Sequence, residues 1–373
     1  MTKVQYFHSI DAKLASNIGE DSVSNPVQAI LELVKNSYDA DATQCTVMFD
    51  GSTDGKDSYT INSITISDDG IGMTQEDLTG KFFRIGTDSK MRETLSPLKG
   101  RRVVGEKGQG HYAAKRLGSR CTVTSNPLNF PKREFSESVD KTLTATLDWD
   151  DFVIGSNFGD IPSQGEILDR KEPDKHGLRL TIDNLEKTEW TKAEFQQIKN
   201  DLGLLISPSS SEKFGSDFEI YVQYPGLERG SARVDTTALD LALYKMRAVV
   251  RGNKVTVNIY ENRKDPTTNK NSFVRVPIQG KYRNEFVINP SNTSALACGD
   301  LTFELYHFPQ RKASGKGEVF DEWETKLSSK QFKLLKSGEI TKFTEEHSGI
   351  KIFKDKIRIM PFGDIKHPHM YDW

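Results

Sequence analysis

The first regular pattern of apolar and polar positions in the chain begins near residue 25. Apolar side chains recur there at the helical period and form one stripe, made up of Val27, Ile30, Leu31, Val34 and Tyr38. Asn25 can cap the first turn, and Pro26 suits the first helical position because the N–H that proline lacks would have no partner there. The pattern predicts an α-helix over about 25–39 with one face in the core.

Beyond this helix, apolar and polar residues alternate in several short stretches, as in strands with one buried face. The predicted strands are 43–49, 63–67, 120–125, 142–149 and 177–183. Between the second and third lies a long basic stretch, which we interpret as a mobile lid over 74–110, because long connections in compact domains are commonly functional. A short helix at 112–117 follows. This order predicts an α/β fold, a two-layer α+β sandwich in which helices cover a mixed sheet.

A stretch rich in serine and glycine, 207–216, predicts a boundary between two domains. The first domain then comprises residues 1–207, and the second, a smaller α/β domain, comprises residues 208–373. The elements expected in the second domain are a helix near 236–246, strands at 254–260 and 301–307, and an ordered segment at 350–362. Because that segment ends close to the last residue, we expect the second domain to be truncated at its C-terminal end.

Composition and charge narrow the function classes. Of 373 residues, 35% are apolar and 28% are charged, enough for a sizeable soluble core. With 51 basic and 53 acidic side chains the formal net charge is −2, which argues against constitutive binding to nucleic acid and leaves a nucleic-acid or protein client open. Cys45, Cys121 and Cys298 show no metal-site spacing and no disulfide framework. With no secretory signal and no run of roughly 18 apolar residues, we expect a cytoplasmic protein without a membrane partner.

Three polar residues stand on the predicted helix at positions i, i+4 and i+7: Glu32, Asn36 and Asp39. At about 100° per residue they share one face, opposite the apolar stripe. A polar helix face is ordinarily just solvated. An amide oxygen beside carboxylates nevertheless suits a hard cation such as magnesium, and a glutamate beside a metal-bound phosphate can deprotonate a water molecule.

Two glycine-containing stretches add candidate ligand contacts. Asp68-Asp69-Gly70-Ile71-Gly72-Met73 follows a predicted strand. A carboxylate there can accept a hydrogen bond from an exocyclic amine, and the glycines allow close backbone approach; a plain acidic turn is the alternative. Gly105-Glu106-Lys107-Gly108-Gln109-Gly110-His111-Tyr112-Ala113 opens a helix, where backbone N–H groups can bind phosphate. It lacks the lysine of a P-loop and the apolar strand that precedes a dinucleotide fingerprint.

The order and spacing of these stretches resemble the GHKL superfamily of ATPases, which includes gyrase B subunits, the ninety-kilodalton heat-shock chaperones, sensor histidine kinases and MutL. The resemblance covers about residues 7–207 and is strongest in Glu32-Leu-Val-Lys-Asn36-Ser-Tyr-Asp39-Ala40-Asp41-Ala42. It implies a Bergerat-type ATP-binding fold that takes ATP and magnesium as cofactors. Within the superfamily, the chain looks most like MORC-like and chaperone-like bacterial ATP-binding proteins.

The resemblance implies a role for each matching residue. Glu32 would be the general base, Asn36 would coordinate magnesium, and Asp39 would end the first conserved box of the family. Asp68 would bind the adenine amine, and the residues beside the adenine would be Gly70, Gly72 and Met73. The remaining nucleotide contacts would come from the lid and the loop after it: Thr87, Lys90, Gly105, Lys107, Gly108, Gln109, Gly110, His111 and Tyr112.

One position departs from the family pattern. The last box of the family usually reads Gly-Thr before a strand, and here Gly177 is followed by Leu178, which has no hydroxyl. Either another group, such as Thr181, supplies the contact, or adenine recognition depends more on Asp68. In the second domain, the stretch 351–363 resembles a transducer segment of MORC-like ATPases. A basic residue there would sense the terminal phosphate, the candidates being Lys351, Lys354, Lys356 and Arg358.

Three functions are compatible with this sequence. The leading hypothesis is a magnesium-dependent ATPase that hydrolyses ATP slowly, with lid closure and ATP-dependent homodimerisation forming a conformational switch. One alternative is a module that binds nucleotide without hydrolysing it. The other is a histidine-kinase-like phosphotransferase, which is disfavoured because such kinases normally carry a helical hairpin with a phosphoacceptor histidine before this pocket, whereas His8 is the sole histidine before Glu32.

Overall fold

The structure is a computed structural model that describes the chain in segments. The described residues are 10–14, 17, 23, 25–84, 95–101, 103, 110–131, 133–205, 218–227, 230–234, 239, 242–268, 271–277, 285–287, 301–308, 328–329, 332–333, 340, 344, 353–354 and 357–358. The chain divides into two compact units. The first is Met1–Asp235 with Phe353–Ile359, and the second is Thr236–Ile352 with Met360–Trp373.

The first unit contains both helices and strands. Its helices are α1 (Pro26–Asp39), α2 (Gln75–Asp77) and α3 (Lys192–Leu205), with 3₁₀ turns at Gly110–Arg116, Trp149–Asp151 and Phe158–Asp160. Its strands are β1 (Gln44–Thr53), β2 (Ser58–Asp68), β3 (Gly118–Asn126), β4 (Lys141–Asp148), β5 (Gln164–Asp169), β6 (Gly177–Leu185), β7 (Glu189–Thr191), β8 (Glu219–Gln223) and β9 (Ala232–Arg233). Within the described residues, no helix has the length and apolarity that crossing a bilayer requires.

Strands β1 to β9 of the first unit form one mixed sheet. The order across it is β5, β4, β3, β6, β2, β1, β8 and β9, and β7 pairs with β2. β1 and β8 run parallel, whereas β1 and β2, β2 and β6, and β3 and β6 run antiparallel. Helices α1 and α3 pack against each other, and their buried side chains cover one face of the sheet. The predicted α/β fold with a helix-covered mixed sheet is therefore confirmed.

Helix α1 begins and ends where the sequence pattern predicts. The side-chain oxygen of Asn25 accepts a hydrogen bond from the Gln28 N–H at 3.0 Å and so caps the first turn. Its core-facing side chains are at most 1% exposed, and they are Ala29, Ile30, Leu33 and Val34. Burying a large aliphatic side chain contributes roughly 1.5–3 kcal/mol, so packing of this stripe holds the helix on the sheet.

The first unit extends beyond the predicted boundary at 207/208. Strand β8 pairs with β1 and, on its other side, with the edge strand β9 of the same sheet. Tyr224, just after β8, stacks on Phe195 of α3 with ring centroids 4.4 Å apart. Because residues 218–234 complete this sheet and its core, the boundary is corrected to 235/236.

The second unit is built around an antiparallel sheet. Its strands are β10 (Tyr244–Arg251), β11 (Lys254–Lys264), β12 (Asn271–Val276), β13 (Glu285–Val287) and β14 (Leu301–His307). The order is β12, β11, β10 and β14, with β13 paired to β11. The predicted strands at 254–260 and 301–307 are confirmed. The helix expected near 236–246 is wrong for residues 244–246, which belong to β10 and pair with β11 and β14.

A short hairpin near the C-terminus groups with the first unit. It consists of β15 (Phe353–Lys354) and β16 (Ile357–Arg358), which pair antiparallel. The sequence stretch 351–363 that contains it was assigned above to the second domain. Its grouping with the first unit is a second correction to the predicted domain division.

The predicted lid begins with a packed segment. Thr74 and Asp77 cap the α2 turn reciprocally, each side chain accepting a hydrogen bond from the other residue's N–H. The π-type turn Leu78–Phe82 follows, and both of its terminal side chains are buried. Residues 74–84 therefore belong to the folded body of the unit, contrary to the expectation of one mobile segment over 74–110.

A second part of the predicted lid, residues 95–101, is fastened to the C-terminal end of α1. The buried carboxylate of Asp41 accepts hydrogen bonds from Ser96 Oγ at 2.5 Å and from the N–H groups of Leu98 and Lys99 at 2.8 and 3.2 Å. The Arg101 guanidinium donates to the carbonyls of Tyr38 and Ala42 and lies over the Tyr38 ring. These contacts make 95–101 a fixed clasp on α1.

We expect Asp41→Asn to lower the free energy of unfolding by about 1–3 kcal/mol, because an amide oxygen cannot accept all three hydrogen bonds that the carboxylate accepts. Asparagine is chosen because Asp41 has φ 62°, a conformation that asparagine tolerates. Asp57→Asn is the matched control: Asp57 also has φ 62°, but its side chain is 71% exposed. Chemical denaturation of both variants measures the effect, and equal losses would contradict the clasp.

Candidate functional site

One face of α1 carries the three polar residues predicted to act together. Glu32, Asn36 and Asp39 are all half-exposed, whereas the apolar stripe on the other side of the helix is buried. The helix stays regular through them, since the Ala40 N–H donates to the Asn36 carbonyl at 3.0 Å. Glu32 has an ion-pair partner in Lys35, whose Nζ lies 2.5 Å from Glu32 Oε1. These three side chains are therefore partly accessible to solvent.

The carboxylate of Asp68 is held at the end of β2 by three donors. Ser37 Oγ, on the buried side of α1, donates to Oδ2 at 2.8 Å. The N–H groups of Gly70 and Leu178 donate to Oδ1 at 2.9 and 3.3 Å. The hydrogen bond from Ser37 ties α1, the helix that also carries Glu32 and Asn36, to the end of β2.

The environment of Asp68 leaves its charge poorly compensated. Burial raises the pKa of Asp68 to about 6, although the hydrogen bonds from Gly70, Ser37 and Leu178 favour the charged form and act in the opposite direction. At pH 7 the group is therefore ionised but desolvated. Oδ2 accepts one hydrogen bond from Ser37, and a carboxylate oxygen can accept two. Asp68 is thus a strong acceptor for an N–H group of a ligand.

The neighbouring Asp69 is used differently. The N–H groups of Thr43 and Gln44 donate to its Oδ1 at 2.7 and 2.8 Å, and Thr43 Oγ1 donates to its Oδ2. Burial opposes the charged form of Asp69, but these bonds outweigh it and lower the pKa. Asp69 therefore anchors the start of β1, and of the two adjacent acids Asp68 is the candidate ligand group.

Gly70 and Gly72 are required by the packing of the protein's own backbone. A Cβ on Gly70 would lie 2.6 Å from the Ala40 carbonyl oxygen, and one on Gly72 would lie 2.5 Å from that of Asn126. Gly72 also has φ +59°. The prediction that a ligand approaches the backbone at these glycines stays a prediction. In the structure they let the loop after Asp68 pack closely against the ends of α1 and β3.

Two residues that the sequence analysis did not single out fix this loop. The Ser125 hydroxyl accepts a hydrogen bond from the Met73 N–H and donates to the Met73 carbonyl, both at 2.7 Å. The Arg133 side chain, 7% exposed, lies 3.0 Å from an Asp77 carboxylate oxygen. Its guanidinium also donates, at 2.6 to 2.8 Å, to the carbonyls of Ile71, Gly72 and Leu128. Met73 itself is half-exposed beside the site.

Thr181 lies on the face of the sheet opposite Asp68, so the prediction that its hydroxyl supplies the adenine contact missing at Leu178 is corrected. Successive side chains of a strand point to opposite faces. On β6, Leu180 and Ile182 are buried on the helix-covered face, which is also the face of Asp68. Thr181 therefore lies on the other face, where its hydroxyl is 3.3 Å from that of Thr65. The hydroxyl that reaches Asp68 belongs to Ser37.

The predicted phosphate-binding residues fall mostly outside the described part of the chain. Thr87, Lys90, Gly105, Lys107, Gly108 and Gln109 are not among the described residues, so their roles stay predictions. Gly110, His111 and Tyr112 begin the 3₁₀ helix Gly110–Arg116, which confirms a short helix here. This helix packs against α1, so the backbone that follows the predicted loop reaches the candidate site.

The described residues fit a nucleotide whose phosphates supply most of the ligands of a bound cation. No three His, Cys, Asp or Glu side chains form a metal-binding group within the described part of the chain. A divalent cation would thus depend on phosphate oxygens and water in addition to the Asn36 amide, and magnesium is commonly held in this way. The carboxylate of Asp68, with acceptor capacity left on Oδ2, matches the amine of an adenine.

A separate apolar groove lies elsewhere in the first unit, along the edge formed by β4 and β5. Its volume is about 460 Å³, and its apolar lining includes Leu78, Phe83, Leu143, Phe152 and Phe158. None of the predicted nucleotide-binding residues lines it. The groove is therefore distinct from the site around Asp68.

Comparisons with known proteins bear on the region that contains this site. Residues 23–156 match the family described as "Histidine kinase-, DNA gyrase B-, and HSP90-like ATPase". The chain is 34% identical over 113 residues to a Herpetosiphon aurantiacus protein named as a candidate type II restriction enzyme, HgiDII; this is 30% of the chain and 17% of that protein. It is 36% identical over 122 residues to the DNA mismatch repair protein MutL of Halobacterium salinarum, covering 32% of the chain and 16% of MutL. The match spans about a sixth of each curated relative.

We expect Asp68→Asn to stabilise the unliganded protein at neutral pH. A pKa of about 6 in the folded state lies above the ordinary value near 4, so wild-type stability falls as the pH rises through this window. The Oδ1 of asparagine can still accept from the Gly70 and Leu178 N–H groups, and its Nδ2 can donate to Ser37 Oγ, so the contacts are kept without the charge. The variant should gain up to about 3 kcal/mol above pH 6 and nothing below pH 4.

Denaturation from pH 4 to pH 8 measures this difference, with Asp174→Asn on an exposed loop as the control. A gain for Asp68→Asn that does not change with pH would contradict a desolvated charge at this position.

Arg133→Met should lower the free energy of unfolding by about 2–4 kcal/mol, because it removes the donor to the carbonyls of Ile71, Gly72 and Leu128 and the ion pair with Asp77. Arg133→Lys should recover little, since an ammonium group cannot reproduce the planar fork. Arg120→Met, at an exposed position of β3, serves as the control and should change stability by less than about 0.5 kcal/mol. Full recovery by lysine would show that charge alone matters.

Proposed function

We propose that residues 23–156, which match the GHKL ATPase family, bind ATP together with magnesium and hydrolyse it slowly. The superfamily assignment supports ATP binding. One structural observation carries the proposal further: the carboxylate of Asp68 is tied by Ser37 to the helix whose accessible face carries Glu32 and Asn36.

Each part of the nucleotide has a partner in this proposal. The adenine amine donates a hydrogen bond to Asp68, beside the half-exposed side chain of Met73. The Asn36 amide oxygen would be one of the ligands that coordinate the magnesium ion. The phosphates bind the backbone N–H groups of the loop that leads into the 3₁₀ helix at Gly110, as glycine-rich loops at helix starts do. Magnesium, when bound, supplies compensation for the negative charge on the phosphate oxygens.

Hydrolysis requires a base for the attacking water, and Glu32 occupies the accessible side of α1 next to Asn36. In this step Glu32 takes one proton from the water molecule. The water oxygen forms a bond to the terminal phosphorus, and the bond from that phosphorus to the bridging oxygen breaks, giving ADP and phosphate. Positioning of a single base of this kind typically contributes a factor of about 10² to 10⁴ in rate.

We further propose that ATP binding acts as a switch through lid closure and homodimerisation, with the second unit as a transducer. The clasp at 95–101 is fastened to α1 by Asp41 and Arg101, so we assign it to the fixed body of the domain. A basic residue of 351–363 would report the terminal phosphate. The names of the two relatives concern DNA, which makes DNA a client worth testing despite the net charge of −2.

The test measures binding and turnover separately. Titration calorimetry with ATP and magnesium should show binding by the wild type and none by Asp68→Asn, whose amide would present N–H groups to the adenine amine. Glu32→Gln should keep the dissociation constant within about threefold and lower kcat at least about 100-fold. Turnover per molecule should rise with protein concentration if dimerisation is coupled to hydrolysis.

Two results would count against the proposal. Absence of ATP binding by the wild type would refute it entirely. Binding without turnover at any protein concentration would leave the non-hydrolysing nucleotide-binding module as the function.

A further inference from the structure

Lys35 is a buried lysine whose ammonium group is directed at the proposed base. Its Nζ lies 2.5 Å from Glu32 Oε1, and its side chain is 7% exposed, against 28% for Glu32. Lysine is seldom buried unless it is paired. Lys35 is therefore the more deeply buried partner of the pair, and Glu32 is the partner that solvent reaches.

The helix geometry explains why this pair forms. Long side chains of an α-helix lean toward its N-terminus, so a lysine meets a glutamate three residues earlier. The same spacing occurs at Glu172 and Lys175, with the same distance of 2.5 Å, but those side chains are 62% and 72% exposed. An exposed pair of that kind fixes little because solvent competes for both groups. Burial of Lys35 holds the Glu32 carboxylate in one orientation.

We propose that Lys35 is a positioning residue for the ATPase reaction, which holds Glu32 Oε1 and leaves Oε2 to accept the proton of the attacking water. The inference rests on the proposed function, since it assigns Glu32 the role of base. Lys35 acts through Glu32 and not on the nucleotide. Its removal should therefore affect the chemical step and leave ATP binding nearly unchanged.

The experiment is a double-mutant cycle with Lys35→Met, Glu32→Gln and both substitutions together. Single-turnover phosphate release gives the rate, and titration calorimetry gives the dissociation constant of ATP with magnesium. Lys35→Met should lower the rate about tenfold, with the dissociation constant within about twofold of wild type. In the Glu32→Gln background the same substitution should have no further effect, because there is no base left to position. Lys175→Met is the matched control and should match wild type in both measurements.

Three outcomes would overturn the inference: an unchanged rate in Lys35→Met, an equal loss in the Glu32→Gln background, or weaker ATP binding with an unchanged rate. Partial recovery by Lys35→Arg would support it, since arginine restores a cation at the same place. If Lys35→Met does not fold, Lys35→Gln carries the same test. Failure of the proposed function gives a different result, in which wild type and Glu32→Gln release phosphate equally slowly.

Discussion

The hydrogen bond from Ser37 to Asp68 is the contact on which the candidate site depends. It crosses from the buried side of α1 to the end of β2 and thereby fixes the distance between the helix and the strand end. Without donors, a carboxylate at this depth would be strongly disfavoured. Three donors compensate part of that cost, and a pKa of about 6 shows that part of it remains. If α1 moved away, Asp68 would lose the hydrogen bond from Ser37 and its charge would be compensated even less. Glu32 and Asn36 on the outer face of α1 therefore keep their positions relative to Asp68.

A second layer of contacts keeps the loop after Asp68 from adapting freely. Arg133 gathers carbonyl groups of the loop, Ser125 holds both backbone groups of Met73, and Gly72 fits where no side chain could. Such fixed surroundings let a binding group meet its ligand without reorganisation. The loop is rigid because its neighbours determine it, and this explains why its glycines serve packing inside the protein.

The sequence predicted those features that depend on neighbours in the chain. The period of its apolar positions located α1, and alternation located much of β2, β3, β4 and β6. The role of Ser37 could also have been predicted, because a serine inside an apolar stripe needs a buried hydrogen-bond partner. The orientation of Thr181 could have been predicted too, since a residue three positions from Leu178 in a strand points to the opposite face. The candidates in and after the lid that lie outside the described residues remain untested.

Contacts between segments that are distant in the chain could not be predicted from the sequence pattern. Nothing local to Arg133 indicates that it will meet carbonyl groups about the D-x-G-x-G loop. The parallel pairing of β1 with β8 likewise joins distant segments, which is why a serine- and glycine-rich stretch was mistaken for a domain boundary. Apolar and polar residues alternate over 244–248 in β10, which is typical of a strand, although a helix was predicted near 236–246.

Asp68 and Asp69 show most clearly how surroundings determine the role of a residue. They are adjacent and chemically identical, and the fold gives them opposite shifts in pKa. Asp69 receives enough hydrogen bonds to favour its charge, whereas Asp68 receives too few to offset burial. A ligand amine that supplied the missing bond would recover free energy that the unliganded fold lacks, and ligands that bind the folded state stabilise it. Asp68, whose charge is incompletely compensated, is therefore the carboxylate suited to binding a ligand. For the same reason, ligand binding at Asp68 should stabilise the folded domain.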